Sequence, residues 1–158
     1  MRVESEYRRH GTLAYLAAYH VHRAHVIGHC APTTGIEPFT ALAAKVMTTE
    51  PYASARRVFW VLDNGASHRG PAAAARLNDT WSNATMIHLP VHASWLNQVE
   101  IYFSAVQRKL LTPDDFPNLD VLAERLTAFE NRYNHAARPF DWRFNRDDLN
   151  RLLTRIAA

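Results

Sequence analysis

Val58-Phe59-Trp60-Val61-Leu62-Asp63-Asn64-Gly65 is the stretch on which the fold turns. Five apolar residues in a row, rich in β-branched and aromatic side chains, predict a strand buried on both faces, as in a sheet sandwiched between helices. Asn64-Gly65 stops it in a turn, which leaves Asp63 at the carboxyl end of the strand, where ligands gather in open α/β sheets. Taken alone, an Asp before Asn-Gly is more often a turn residue.

Downstream, Pro71 opens the Ala-rich stretch Ala72 to Leu77, and Thr85-Met86-Ile87-His88-Leu89 reads as the next strand, stopped by Pro90. Strand, helix, strand predicts a parallel pair joined by a right-handed crossover. After the loop Val91 to Trp95, Val99, Phe103, Val106 and Leu110 recur at helical spacing, with Asn97, Glu100, Ser104 and Arg108 on the polar face. Leu119, Leu122, Leu126, Phe129 and Tyr133 mark another amphipathic helix. A Pro-containing segment, Arg138 to Trp142, and a last helix with Leu149, Leu152, Leu153 and Ile156 follow.

Upstream, Gly11 to Val21 and His25 to His29 flank the polar break His22-Arg23 and predict a hairpin. Thr34-Gly35-Ile36-Glu37 has the form of a capping box before a helix from Ile36 to Met47, with Pro38 tolerated in its first turn. Trp60 and Trp142 read as core. The class is α/β with helices accumulating towards the C-terminus.

At 158 residues, 47% hydrophobic and 21% charged, the chain has the proportions of one globular domain, and no linker or repeat divides it. No apolar run reaches membrane-spanning length and the start has no signal-peptide core, so the expected location is the cytosol. Cys30 is the sole cysteine and pairs with nothing inside the chain. The net charge of +3 permits nucleic-acid binding without establishing it. Residues 1–109 hold 11 Arg/Lys against 7 Asp/Glu, whereas residues 110–158 hold 7 against 8, so the basic excess lies with the candidate site.

The crossover brings the start of the Glu100 helix towards the sheet end that holds Asp63. Two carboxylates there suit Mg²⁺ or Mn²⁺, hard cations that take oxygen ligands and keep waters for a phosphate. Such an ion activates a hydroxyl nucleophile and neutralises phosphodiester charge.

Val61-Leu62-Asp63-Asn64-Gly65-Ala66-Ser67-His68 resembles the strand with the second catalytic Asp of mariner-like insertion-sequence transposases, and Leu89-Pro90-Val91-His92-Ala93-Ser94-Trp95-Leu96-Asn97-Gln98-Val99-Glu100 resembles their proline-bearing loop and the helix start with the third acid. Tyr7 to Thr12 and Asn134 to Trp142 are also similar to segments of that family. The resemblance implies a DDE catalytic domain of ribonuclease-H-like fold over residues 1–158, incomplete at the N-terminus, with extra C-terminal helices. It implies bacterial cytosol or nucleoid as the setting, transposon ends and target DNA as partners, a homodimer as a compatible assembly, and two-metal catalysis by Mg²⁺ or Mn²⁺ held by Asp63 and Glu100. Asn97 would orient a carboxylate or phosphate, with a helix N-cap as its alternative role. His68 would contact DNA phosphate, unless it is a plain turn residue.

The family's first catalytic Asp, its strand and a helix-turn-helix domain have no counterpart in the sequence, which points to a truncated reading frame. In the ribonuclease-H-like fold that strand lies inside the sheet, so its loss should leave neighbouring backbone groups unpaired, at about 1–3 kcal/mol each. The competing expectation is therefore an inactive remnant that serves at most as a DNA-binding or dimerisation module.

Arg56-Arg57 and Arg108-Lys109 are candidate phosphate contacts or else solvated faces. Trp95 either stacks on a base or anchors its loop. His20, His22, His25 and His29 invite a zinc reading, but no Cys pair or His-Glu helix motif completes four ligands. Ser67-His68 has neither the triad geometry nor the Gly-x-Ser-x-Gly frame of a nucleophile site.

Overall fold

The computed structural model describes residues 11–63, 65, 70–90, 97–112, 115–139 and 147. The readings of Trp142, of the last helix through Leu149 to Ile156 and of the Val91 to Trp95 loop lie outside them. Strands β1 (Ala14–His20) and β2 (His25–Ala31) form an antiparallel hairpin, and α1 (Ile36–Met47) follows. Strand β3 (Val58–Leu62), α2 (Gly70–Thr80) and β4 (Ala84–His88) form the expected strand, helix, strand unit, with β3 and β4 parallel. Then come α3 (Val99–Val106), a π-helical turn (Gln107–Leu111) and α4 (Leu119–His135).

The hairpin alternates side chains between two cores, as strand geometry requires. Leu16, Ala18 and Ile27 meet α1, while Tyr15, Ala17, Tyr19 and Val26 meet α3 and α4. Helix α1 also serves the second sheet: Phe39 stands edge-on to Trp60 at 6.1 Å between ring centroids, and the Trp60 indole N–H donates to Met47 Sδ at 3.4 Å. Asn83 ties the loop between α1 and β3 to the start of β4, donating to the carbonyls of Tyr52 and Ala55 at 3.1 and 2.9 Å.

Three sequence expectations are corrected. The first is the strand buried on both faces: Phe59 and Val61 are 58% and 46% exposed, and Ile87 beside them on β4 is 43% exposed. The two parallel strands pack on α1 and α2 through Trp60, Val58, Leu62, Ala84 and Met86, and the other face lacks a covering layer among the described residues. The second is the capping box, which does not form, since α1 starts from Gly35 with no side-chain cap bond. The third concerns α3, whose deepest residue is Tyr102 with 0% exposure, while Phe103 and Val99 are half-buried. A four-residue step from Tyr102 through Val106 to Leu110 carries the buried stripe.

The hairpin's outer edge is closed by side chains. Asn134 of α4 grips Val26 from both sides, its Oδ1 accepting from the Val26 N–H and its Nδ2 donating to the Val26 carbonyl, each at 2.8 Å. Lys45 Nζ donates to the Gly28 carbonyl at 2.7 Å. Capping an edge strand in this way blocks pairing with another chain. The remaining edges, β1 away from β2 and the outer edges of β3 and β4, have no strand neighbour among the described residues.

Candidate carboxylate site at the strand ends

Asp63 follows β3 directly and is half-buried. Its Oδ1 accepts from the Gly65 N–H at 3.0 Å, the Asx turn that Asp forms two residues ahead of a free amide. This bond orients the carboxylate at the strand end, as the turn reading of Asp63 expects. The Leu89 N–H donates to the Leu62 carbonyl at 2.8 Å, extending the parallel ladder one step beyond β4. The chain therefore leaves β4 at the sheet end that carries Asp63, on its way to Glu100.

Glu100 lies in the first turn of α3 and is exposed. A carboxylate there is favoured by the helix dipole. Its N–H donates to the Asn97 carbonyl at 3.1 Å. The N-cap is Gln98 without a side-chain bond, so the capping role weighed for Asn97 is not the one found; Asn97 is half-buried just outside the helix.

What sets the rotation of α3 is Tyr102, two residues on and about 200° round the helix from Glu100. The Tyr15 hydroxyl donates to Glu130 Oε2 at 3.0 Å. Its single proton is thereby used, so the Tyr102 hydroxyl, 2.8 Å away, donates to the Tyr15 oxygen. The Tyr102 ring stands edge-on to Tyr133 at 4.9 Å and tilted against Phe129 at 6.1 Å. Gly28 makes the cluster possible, because a Cβ there would strike both the Tyr15 hydroxyl and the Glu130 carboxylate. Burial pushes the Tyr15 hydroxyl far up and, with the nearby Glu130 charge opposing ionisation, pushes Tyr102 to about 12; Tyr133 is likewise pushed to about 12 by burial and its bond to Tyr19. All three stay neutral donors at physiological pH.

Tyr15, Tyr102, Glu130 and Asn134 were not singled out for these supporting roles from the sequence. The glycine inside an apolar strand was a usable signal for the first three, since it marks close approach. Asn134 stood in a family-like segment, and its grip on Val26 now explains that asparagine.

Arg108 and Lys109 are exposed on the π turn. His68 and Trp95 lie outside the described residues. Among the described residues no group of three or more His, Cys, Asp or Glu side chains is placed to hold a metal. The hairpin histidines give none either: His20 faces His25 across the ladder, the His20 and His22 rings are 6.0 Å apart, and His20 Nδ1 accepts from the Arg23 N–H. Desolvation lowers the His20 pKa, which favours a neutral ring.

The model of the family described as DDE superfamily endonuclease matches residues 1–123, over three-quarters of the chain. The chain belongs to that family. It has the mixed α/β make-up consistent with a DDE nuclease domain and with transposase-type nuclease function on DNA. No curated protein matches it, and no solved structure does. No helix among the described residues is long and apolar enough to cross a membrane. DDE endonuclease domains generally use divalent metals, and Asp63 and Glu100 are hard-oxygen groups of the kind that Mg²⁺ or Mn²⁺ takes while keeping several waters. A third carboxylate for a second ion is not supplied by the described residues.

Proposed function

We propose that the chain is the catalytic-domain part of a mariner-like bacterial insertion-sequence transposase, acting on transposon ends and target DNA. The observation that carries this reading is the ladder bond from Leu89 to Leu62, which makes the chain exit β4 beside Asp63 on its way to the Glu100 helix. Asp63 and Glu100 would hold the divalent ion, which when bound supplies Lewis-acid activation of a hydroxyl and neutralises phosphodiester charge. Asp63 is oriented for this by its bond from the Gly65 N–H, and Glu100 by the buried Tyr102 on the reverse of its helix. Asn97, just before α3, would orient a carboxylate or a phosphate oxygen; His68 and Trp95 would contact DNA from the adjoining loops. The bacterial cytosol or nucleoid is the corresponding setting. A ribonuclease-H-like arrangement is supported by the hairpin and the parallel pair sharing α1 as one covering layer, with facing roles left open at the β1 and β3 edges.

A second reading, a DNA-binding or dimerisation module without catalysis, is favoured by the lack of a third carboxylate among the described residues. One experiment separates them: nicking of supercoiled DNA by the full chain with Mg²⁺ or Mn²⁺. Metal-dependent nicking that is lost in Asp63→Asn and in Glu100→Gln supports the catalytic reading. Nicking that persists in both variants rules out the assignment of these carboxylates, and salt-sensitive binding without nicking selects the second reading.

A further inference from the structure

The turn between β1 and β2 is closed through the Arg23 N–H, which lies between two acceptors of His20, the carbonyl oxygen and the ring Nδ1, each at 3.2 Å. Because the donor is a backbone N–H, Nδ1 must offer a lone pair, which places the proton of the neutral ring on Nε2. The next residue, Ala24, is fully buried with φ 53°, in the left-handed region that strains an alanine and persists only where the surroundings hold it. Against the His20 ring stands Tyr52, 5.6 Å away between centroids, in the loop that Asn83 ties to the start of β4. His20 is thus the place where the hairpin tip meets the support of the second sheet.

The surroundings hold this ring neutral. Burial is the largest influence and lowers the His20 pKa; Arg23, His22 and His25 oppose a positive ring as well, and only the His20 carbonyl, an acceptor for a charged imidazole, works the other way. From the facing loop, the Tyr52 hydroxyl is kept neutral by its own burial and supplies no counter-charge. Protonation puts a donor on Nδ1 where the Arg23 N–H now finds an acceptor, and the charged ring then competes for the same carbonyl. We propose that His20 is a proton-operated latch on the hairpin tip: neutral, it closes the turn through the Arg23 N–H; protonated, it gives up that bond and releases residues 21–24. The strained backbone of Ala24 is what relaxes. Tyr52 precedes β3 and Asp63 follows it, so the latch works at the opposite end of that strand from the carboxylate and stands independently of the DNA-processing reading. The unfolded chain takes up this proton before the folded chain does, so the contribution of the latch is complete above pH 6.5 and is lost as pH falls through the lowered folded-state value.

The test is nuclear magnetic resonance of the ¹⁵N-labelled full chain, titrated from about pH 8 to about pH 5 across the range in which histidine changes charge. The neutral His20 ring is expected to show an unprotonated Nδ1 and a protonated Nε2. On acidification the Arg23 amide should shift together with the His20 ring at a common midpoint below 6.5. Its protection from exchange, relative to an unstructured peptide at the same pH, should fall about two- to tenfold, the worth of one hydrogen bond. His22→Ala and Arg23→Gln should keep the response and raise its midpoint, since each removes a group that opposes the charged ring. His20→Gln, which cannot titrate, should abolish the response at the Arg23 amide. A neutral ring with its proton on Nδ1, an Arg23 amide that does not follow the ring, or one that follows pH equally in His20→Gln overturns the latch. The first two are readings on the wild-type chain and decide the matter even where a variant fails to fold.

Discussion

The hairpin of β1 and β2 lies between α1 on one face and α3 with α4 on the other, and Asn134 and Lys45 close its outer edge. The parallel pair of β3 and β4 rests on α1 and α2 and turns Phe59, Val61 and Ile87 outward. By composition the order would be reversed: β3 is the more apolar strand, and β2 carries His25, His29 and Cys30. Burial thus follows from the layers that the chain can bring to a face, not from the hydrophobicity of the strand itself. The two carboxylates of the proposed site are divided between the regions: Asp63 ends the half-covered sheet, and Glu100 lies on the helix that packs against the hairpin.

The sharpest way to break this contrast is at Tyr102. Tyr102→Ala removes a fully buried aromatic ring from the anchored region and is expected to cost about 3–5 kcal/mol by urea unfolding. A cost under about 1 kcal/mol would mean that the hairpin region is no better packed than its neighbour.

Alkaline pH probes the same core. The Tyr102 hydroxyl has a folded-state pKa near 12 against 10 in the unfolded chain. Between those values the folded state keeps a proton that the unfolded state releases, so this contribution is fully present below pH 10 and is lost as pH rises through 12. The expected decline is about 1.4 kcal/mol per pH unit for each tyrosine so held. Unfolding curves at about pH 9 and about pH 11 measure it, and Tyr102→Phe should flatten the dependence by about one such contribution.

Asn134→Ala leaves both backbone groups of Val26 without their partner and should cost about 2 kcal/mol, with faster hydrogen exchange at the Val26 amide. Slow exchange in that variant would show that another group closes the edge. The smallest effect is expected on the outward face of the second sheet. Phe59→Thr and Ile87→Thr should each change stability by no more than about 0.5 kcal/mol and improve solubility, because no covering layer is lost. A loss above about 2 kcal/mol in either variant would show that the face is covered in solution.

Much of this was legible in the sequence because it depends on neighbours along the chain. The bounds of α1 and β3 and the parallel partner at β4 follow from local periodicity and from turn residues such as Asn64-Gly65 and Pro90. The capping box failed because helix starts can be satisfied in several ways, and a Thr-x-x-Glu pattern does not compel either side chain to turn back. The π turn escaped as well, since a spacing of four reads equally as an α-helical step until the core fixes which residue must be inside.

By itself, then, the sequence determined the order of elements, the family, and the two positions, Asp63 and Glu100, at which carboxylates meet the ends of a strand and a helix. The tertiary structure alone decided which faces are covered, how Tyr15, Glu130 and Gly28 lock the rotation of α3 through Tyr102, and where Arg108 and Lys109 emerge. The physical reason is the range of the forces involved. Helix and strand periodicity is settled within a few residues, whereas Tyr15 and Glu130 meet across 115 positions, and only the packing of the whole chain selects such a contact.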